Sequence, residues 1–474
     1  MSALWTIEEI VAATGGRPVG VGGSEVTAVS IDSREIAPGA LFVAIRGDVH
    51  DGHDFVGRAL EQGASAALVS EDRASGLPQD RLIVVPDALH GLRDLAAAAR
   101  ARSAARIVAV TGSAGKTTTK EMIRTMLGAI GPTHYSIKSF NNHWGVPLML
   151  ARLPRDAAFG VFEIGMNHAG EITPLSRLVR PHAAVITTVA AAHLEFFDSV
   201  AGIARAKAEI FAGLEPGGVA ILNADHEHLG ILLEHAAAAG VGRVLTYGFS
   251  EGVDWRIEAA DQVGDTMQVR LRHDSEIVGF PVAASGRHMV ANAVAALAVA
   301  DVFGIGADAA LGGLEAFRPP EGRGLTVPLG PPEKPLLLVD QSYNANVASM
   351  LATLEVYART KAPGGAKVLV LGDMLELGAS GPRLHADLAQ AVLASGATRI
   401  FLVGRAISAL ADALGPDRVT GHAETIAAIE ERILDGLAYG DAVMVKGSKG
   451  VQLAGLVAKI RARFGQADAA GART

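Results

Sequence analysis

A chain of 474 residues is too long for one ordinary domain and, at roughly 150 residues each, divides into about three. With 49% hydrophobic and only 19% charged residues it holds enough apolar material for several cores, which excludes a disordered chain. Lys and Arg total 42 against 50 for Asp and Glu, a net charge of -8 that argues against non-specific nucleic-acid or anionic-membrane binding, and the absence of cysteine excludes disulfides, thiolate metal sites and a cysteine nucleophile.

From the N-terminus, MSALWTIEEI has no basic leader and carries Glu8 and Glu9, so it does not read as a signal peptide and a soluble, cytoplasmic protein is expected. Short β-branched runs then alternate with Ala-rich helical stretches, the pattern of parallel βαβ units and hence of an α/β fold. A first boundary is expected near Val85 and Pro86, before a helical stretch over 89–105. A buried strand follows at 106–111, a helix from Lys116 onward, and further strands at 159–164, 183–189 and 219–222. The most apolar stretch, 289–317, is broken by Asn292, Asp301, Asp308 and glycines, so it predicts a buried helix and its loop rather than a membrane span. The Pro/Gly-rich stretch 318–334 marks a second boundary, and strands at 336–340, 367–371, 399–403 and 442–445 begin a second α/β series. The expected domains are therefore 1–86, 87–318 and 319–474: a small α/β unit, a central P-loop unit with a parallel sheet, and a Rossmann-like unit.

The sharpest chemical signal is Thr111-Gly112-Ser113-Ala114-Gly115-Lys116-Thr117-Thr118, between the strand and the helix. Gly112 and Gly115 let backbone N–H groups turn inward around phosphate oxygens, Lys116 can reach the β/γ-phosphates, and the Thr117 hydroxyl can ligand Mg²⁺. The helix N-terminus adds partial positive charge. Two residues rather than the usual four separate the glycines, but the flanking elements and the Lys-Thr pair favour ATP binding. A P-loop alone does not identify what receives the phosphoryl group; a kinase, a motor and a ligase remain open. Glu163 ends an apolar strand, His193 follows another, and Lys207 lies on an amphipathic helix. Carboxylate and imidazole suit a divalent ion beside a triphosphate, and ligands collect at strand C-termini in such sheets. Each also has a plain reading: a cap, a structural histidine, a solvated lysine. Lys446-Gly447-Ser448-Lys449-Gly450 looks like a second phosphate loop but lacks a following Thr, so a solvent loop or a contact to a substrate carboxylate fits it better. Trp5, Trp144 and Trp255 read as packing or rim residues.

Taken together, these residues resemble the Mur ligases of peptidoglycan synthesis and their relatives the folylpolyglutamate synthases. The resemblance spans nearly the whole chain. It rests on Asp32-Ser33-Arg34 and the Gly47–Gly52 loop, the short P-loop, Asn141-Asn142-His143-Trp144-Gly145, Phe162-Glu163-Ile164-Gly165, Ala206-Lys207-Ala208-Glu209, Gly286-Arg287-His288, Tyr343-Asn344-Ala345-Asn346 and Asp373-Met374-Leu375-Glu376. It implies an ATP- and Mg²⁺-dependent amide ligase working through an acyl phosphate. Lys116 and Thr117 would hold ATP and one Mg²⁺; Glu163 and His193 would bind magnesium; Lys207 matches a lysine that becomes carbamylated. Asn292 would face adenine with His288 nearby, and Arg323 and Asp340 would close over phosphates and ribose. Asp32, Ser33, Arg34, Asn142, Tyr343, Asn344 and Asn346 would serve the substrates. The last-segment motifs favour the branch that joins D-alanyl-D-alanine to UDP-N-acetylmuramoyl-tripeptide; the alternatives are a Mur ligase adding one amino acid, a folylpolyglutamate synthase, or a nucleotide-dependent binding module. The implied partners are small molecules, with no nucleic acid and no membrane span, acting on a monomer. One departure is Met289, where the family often has Asn, so no polar contact is expected there.

Overall fold

The computed structural model describes residues 3–22 and 25–465. The first sheet has the order β1-β5-β4-β3-β2, with β1 Arg17–Val19, β2 Ala28–Ser30, β3 Ala40–Val43, β4 Ala66–Ser70 and β5 Leu82–Val85. All its pairings are parallel except β1 on β5. Helix α1, Ala88–Arg102, follows, held at its start by Asp87, whose carboxylate accepts from the His90 N–H.

The second sheet has nine strands in the order β14-β13-β12-β11-β10-β9-β6-β8-β7. They are β6 Arg106–Thr111, β7 Thr133–Tyr135, β8 Phe159–Glu163, β9 Ala183–Ile186, β10 Val219–Asn223, β11 Arg243–Gly248, β12 Trp255–Val263, β13 Thr266–His273 and β14 Glu276–Val282. Strands β8, β9 and β10 are buried along their whole length, as expected where helices cover both faces of a parallel sheet. The expectation of an all-parallel central sheet needs correction, because β12, β13 and β14 pair antiparallel. Their side chains alternate: Met267, Val269 and Leu271 are buried while Gln268 and Arg270 face solvent, which is the period of a strand with one wet face. Strand β9 also stops at Ile186, three residues before the expected end. From β6 the chain goes to the edge at β7, returns to β8 beside β6, then crosses to β9 on the other side of β6. That reversal opens a crevice at the C-terminal end of β6.

The apolar stretch forms two helices, α2 Arg287–Val302 and α3 Ala307–Glu315, rather than one helix and a loop. The Pro/Gly-rich stretch is not only a linker: it contains β15 Leu325–Leu329, an antiparallel edge strand of the third sheet. Its Pro328 is tolerated because an edge strand need not donate on its outer side. The third sheet adds β16 Leu336–Gln341, β17 Lys367–Gly372, β18 Arg399–Val403, β19 Gly421–Ala423 and β20 Ala442–Lys446, in the order β15-β16-β20-β17-β18-β19.

The cores divide differently from the sheets. One apolar cluster joins Leu41, Leu68 and Ile83 of the first sheet, through Leu92 and Leu95 of α1, to Leu148 and Ile164 of the second unit. Trp5 is buried, its indole N–H donates to the Ala151 carbonyl at 2.8 Å, and the Arg102 guanidinium lies 3.4 Å over its ring. Arg152 Nε donates to the Val29 carbonyl at 2.6 Å. The third sheet has its own two clusters, one on each face. Among the described residues no helix is long and apolar enough to cross a membrane.

Candidate functional site

The loop between β6 and the helix Lys116–Gly128 is shaped by two glycines. Gly112 has φ 150°, and a Cβ there would lie 1.9 Å from Thr187 Oγ1; Gly115 has φ 82°, and its Cβ would lie 2.8 Å from Asn292 Oδ1. Both positions exclude a side chain by conformation and by space. Ser113 is held by reciprocal bonds to Ala190, its hydroxyl donating to the carbonyl at 2.9 Å and accepting from the N–H at 3.0 Å. Lys116 folds back so that Nζ donates to the Gly112 carbonyl at 2.7 Å. Burial pushes its ammonium below the usual lysine range, Glu163 opposes that, and Arg323 adds to it.

Glu163 ends β8 in register with Val110 and is 2% exposed. Its two oxygens are both engaged: Thr117 Oγ1 donates to Oε2 at 2.7 Å and Asn141 Nδ2 donates to Oε1 at 2.9 Å. Lys207, expected on an amphipathic helix where lysine is usually solvated, is instead 2% exposed near the end of Val200–Ala208. Burial first, and then the Lys116 charge, hold its amine well below the ordinary range. His193 sits at φ 58°, and its Nδ1 lies 2.5 Å from Glu376 Oε2 of the last unit, beside a backbone bond from Glu195 N to the Glu376 carbonyl of 3.1 Å. Among the described residues no three His, Asp or Glu side chains gather as a metal-binding group, so the oxygens grouped at the loop are those of Thr117 and Glu163.

These groups open into a crevice of about 1080 Å³ between the second and third sheets. From the second unit its wall takes Ser113, Ala114, Gly115, Lys116, Thr117 and Thr118 of the loop, together with Glu163 and His193, and His288 and Asn292 of α2. Burial and the neighbouring Lys446 push the His288 imidazole down to about 4, so it is neutral near pH 7. Met289 stands on the same wall and is buried. The third unit supplies Arg323, Tyr343, Asn344 and Asn346. The Arg323 guanidinium lies 4.0 Å over the Tyr343 ring, and the Tyr343 hydroxyl meets Ser139 Oγ. Asn346 does two things at once. Its Oδ1 caps the helix α4, Val347–Arg359, by accepting from Ser349 N at 2.9 Å, and its Nδ2 donates to the Ser113 carbonyl of the P-loop at 2.9 Å. Replacing Asn346 with Ala is expected to cost about 1 kcal/mol of stability from the lost cap. It should also weaken nucleotide binding, and Asn346→Ser, which keeps the cap alone, separates the two effects in a thermal-melt and nucleotide-titration comparison.

The crevice gathers most but not all of the expected residues. Thr111 and Gly112 lie behind the loop, and Thr111 is fully buried with an unpartnered hydroxyl. Asp340 is turned away from the wall: its carboxylate accepts from Gly322 N at 3.1 Å, Ser342 N at 3.1 Å and Ser342 Oγ at 2.7 Å, which fixes the turn carrying Arg323. Asn142 accepts from Gly145 N at the start of the next helix, and it is the preceding Asn141 that reaches Glu163. Asp32, Ser33 and Arg34 stand apart on the first unit. There Arg34 forks onto Asp32 at 2.9 and 2.7 Å and holds its carboxyl down to about 2. Lys446 and Ser448 are buried, which corrects the solvent-loop expectation: Lys446 Nζ donates to the Asn344 carbonyl at 2.9 Å and Ser448 Oγ accepts from Leu375 N at 2.9 Å. Sequence reasoning missed Asn141, Thr187, Asp225, Phe249 and Arg287 on or beside the wall. Arg287 stacks 3.6 Å over Phe249, and Asp225 accepts from the Phe249 and Ser250 N–H groups. Asn141 and Arg287 lie inside motifs already legible in the sequence; Thr187, Asp225 and Phe249 come together just beyond strand ends far apart in the chain.

Three family models match in chain order: the Mur ligase family catalytic domain over 25–122, the Mur ligase middle domain over 110–300, and the Mur ligase glutamate ligase domain over 330–449. The chain is 39% identical over 396 residues to the UDP-N-acetylmuramoyl-tripeptide--D-alanyl-D-alanine ligase of Escherichia coli, covering 83% of this chain and 85% of that one. A crystal structure of MurF from Acinetobacter baumannii superposes with a TM-score of 0.83 at 30% identity, over 96% of this chain and 98% of that one. The MurF ligase of Thermotoga maritima, solved in complex with ADP, shares the fold with a TM-score of 0.77 at 23% identity, over 92% of this chain and 97% of that one.

Proposed function

The chain belongs to the Mur ligase family, and from that premise we propose that it joins D-alanyl-D-alanine to UDP-N-acetylmuramoyl-tripeptide at the expense of ATP, in peptidoglycan precursor synthesis. The observation that carries this is the single crevice in which a P-loop meets Arg323 and Asn346 of the last unit. The tasks divide as 1–86 for the UDP-sugar through Asp32, Ser33 and Arg34, 87–318 for ATP, and 319–474 for the dipeptide, with Asn142, Tyr343, Asn344 and Asn346 toward the substrates. The protein acts in the cytoplasm as a monomer.

A carboxylate acylates poorly because oxide would have to leave. Its oxygen attacks the γ-phosphorus of ATP, the bond to ADP breaks, and an acyl phosphate results. The amine of the dipeptide then attacks the carbonyl carbon, the C–N bond forms, and phosphate departs with the electron pair. The protein's share is charge neutralisation and alignment. Lys116 compensates charge on the transferred group from a half-buried site where part of its hydration is already lost, so the interaction is stronger than it would be in water. The P-loop amides and the Lys116–Gly128 helix N-terminus add to it. His288 and Asn292 serve the adenine end, and Arg323, held on its turn by Asp340, closes over the phosphates.

The donor set fits Mg²⁺, since Thr117 and Glu163 present hard oxygens 2.7 Å apart beside the loop. Thr117, Glu163, His193 and a carbamylated Lys207 would hold the ions, which when bound neutralise charge on the phosphate oxygens. Carbamylation requires access to the neutral amine, and the burial of Lys207 shifts it in that direction. Chelation of divalent cations is expected to stop phosphate release, and added Mg²⁺ to restore it. The test of the reaction is phosphate release with UDP-muramoyl-tripeptide, scanning D-alanyl-D-alanine, single amino acids and glutamate as donors. Activity with the dipeptide alone supports the reading; turnover only with a folate and glutamate overturns it.

A further inference from the structure

Lys446 is the last residue of β20, 3% exposed, and stands on the crevice wall. Among the described residues no carboxylate pairs with it. Arg323 faces it from the linker, the neutral His288 from α2, and Lys449 stands on the same wall three residues on. The acids of the neighbouring elements are engaged elsewhere: Asp340, on the paired strand β16, accepts from Gly322 N, Ser342 N and Ser342 Oγ. Asp373 accepts from the N–H groups of Arg405, Ala406 and Ile407, Glu376 lies against His193, and Glu355 pairs with Arg359 at 2.8 Å. Among the described residues the one polar partner of Nζ is the Asn344 carbonyl, an acceptor that an amine satisfies without carrying charge.

Resting on the ligase reading above, we propose that Lys446 is the base that takes the proton from the ammonium of the incoming dipeptide. An ammonium has no lone pair and cannot attack. Transfer of one proton to the neutral Lys446 amine gives a free amine and a lysine ammonium. The amine then attacks the acyl-phosphate carbonyl carbon, the C–N bond forms, the C–O bond to phosphorus breaks, and phosphate leaves carrying the second nitrogen proton. Lys446 afterwards returns its proton to water. Burial, aided by Arg323, pushes the Lys446 amine down to about 7, so a large share of it is able to accept a proton near neutrality.

The experiment compares wild type, Lys446→Arg and Lys446→Gln in two readouts: acyl-phosphate formation followed as ADP release, and ligation with D-alanyl-D-alanine or with hydroxylamine, which is already largely deprotonated at neutral pH. In a single turnover without the dipeptide, both variants are expected to release ADP at near wild-type rates, which also shows that they fold. Both should lose about 100-fold or more in ligation of the dipeptide. Hydroxylamine should restore hydroxamate formation in both, and the wild-type rise of dipeptide ligation with pH near 7 should disappear. Retained ligation in Lys446→Arg would make the residue an anion holder and overturn the proposal. So would loss of ADP release, which would place it in nucleotide or tripeptide binding, and so would failure of hydroxylamine to rescue. Absence of ADP release in the wild type would instead overturn the ligase reading itself.

Discussion

Lys116→Ala is expected to lower ATP-dependent phosphate release by about 1000-fold or more while leaving the thermal melting point nearly unchanged. The two halves of this result have separate causes. On the reading proposed above, Lys116 is the P-loop cation that meets the transferred phosphoryl group, and its Nζ rests on the Gly112 carbonyl at 2.7 Å, on the same wall as Thr117 and Glu163. No other lysine of the loop can replace it, because Lys120 is buried and committed to the Ser136 carbonyl and to Glu121. Stability behaves differently. The variant gives up one hydrogen bond worth about 1 kcal/mol but also removes a desolvated ammonium that cost a similar amount to bury, so the terms largely cancel. Steady-state phosphate release and a thermal melt, run on the same preparation, check both. A variant that turns over normally would remove the phosphate assignment, and one that melts far lower would make Lys116 a structural residue.

Gly112→Ala is expected to lower both activity and stability, the latter by about 3 kcal/mol. The methyl group meets Thr187 Oγ1 at 1.9 Å and the Thr187 Cβ and N at 3.2 Å, so the strand end after β9 must move. That strand end also shapes the loop, because Thr187 Oγ1 donates to the Ala114 carbonyl at 2.5 Å. Pushing it outward therefore shifts the amides meant to surround phosphate. Thr187→Ala removes the closest clashing atom but not the backbone nitrogen or the positive φ of residue 112. The double variant should accordingly recover part of the lost stability and little of the activity. Denaturant melts of the four members of this cycle give the coupling; strict additivity would mean that the clash is relieved elsewhere.

What could be read from the sequence follows the range of the interactions involved. The P-loop, its strand and its helix are contiguous, so glycine, lysine and threonine spacing sufficed to place them, and the strands at 106–111 and 399–403 match to the residue. Glu163 and His193 were reachable as residues just beyond apolar runs. The burial of Lys207 was not, because a lysine in an Ala-rich helix looks the same whether its face meets water or the P-loop. The resemblance puts Asp340 over the nucleotide, yet its oxygens serve the neighbouring Ser342 and the N–H of Gly322, on a turn 18 residues upstream, a contact no local pattern encodes. The missed strands β12 to β14 carried a period-two signal that mixed charge and short apolar runs obscured. The strand hidden in the proline-rich stretch was masked by residues that ordinarily punctuate loops.

The apolar cluster that joins the first sheet to the second unit has a consequence for synthesis of the chain. When Val85 has left the ribosome, all five strands of the first sheet exist, but the Leu41, Leu68 and Ile83 side of the sheet still lacks the partners supplied by Leu148 and Ile164. At about 5–20 residues per second, that surface waits several seconds for its cover. The nascent chain therefore passes through a stage in which this face has at most α1 to cover it, during which a holding chaperone has a target that vanishes in the finished protein. The third unit, with cores of its own on both faces, is free of this debt and can close last.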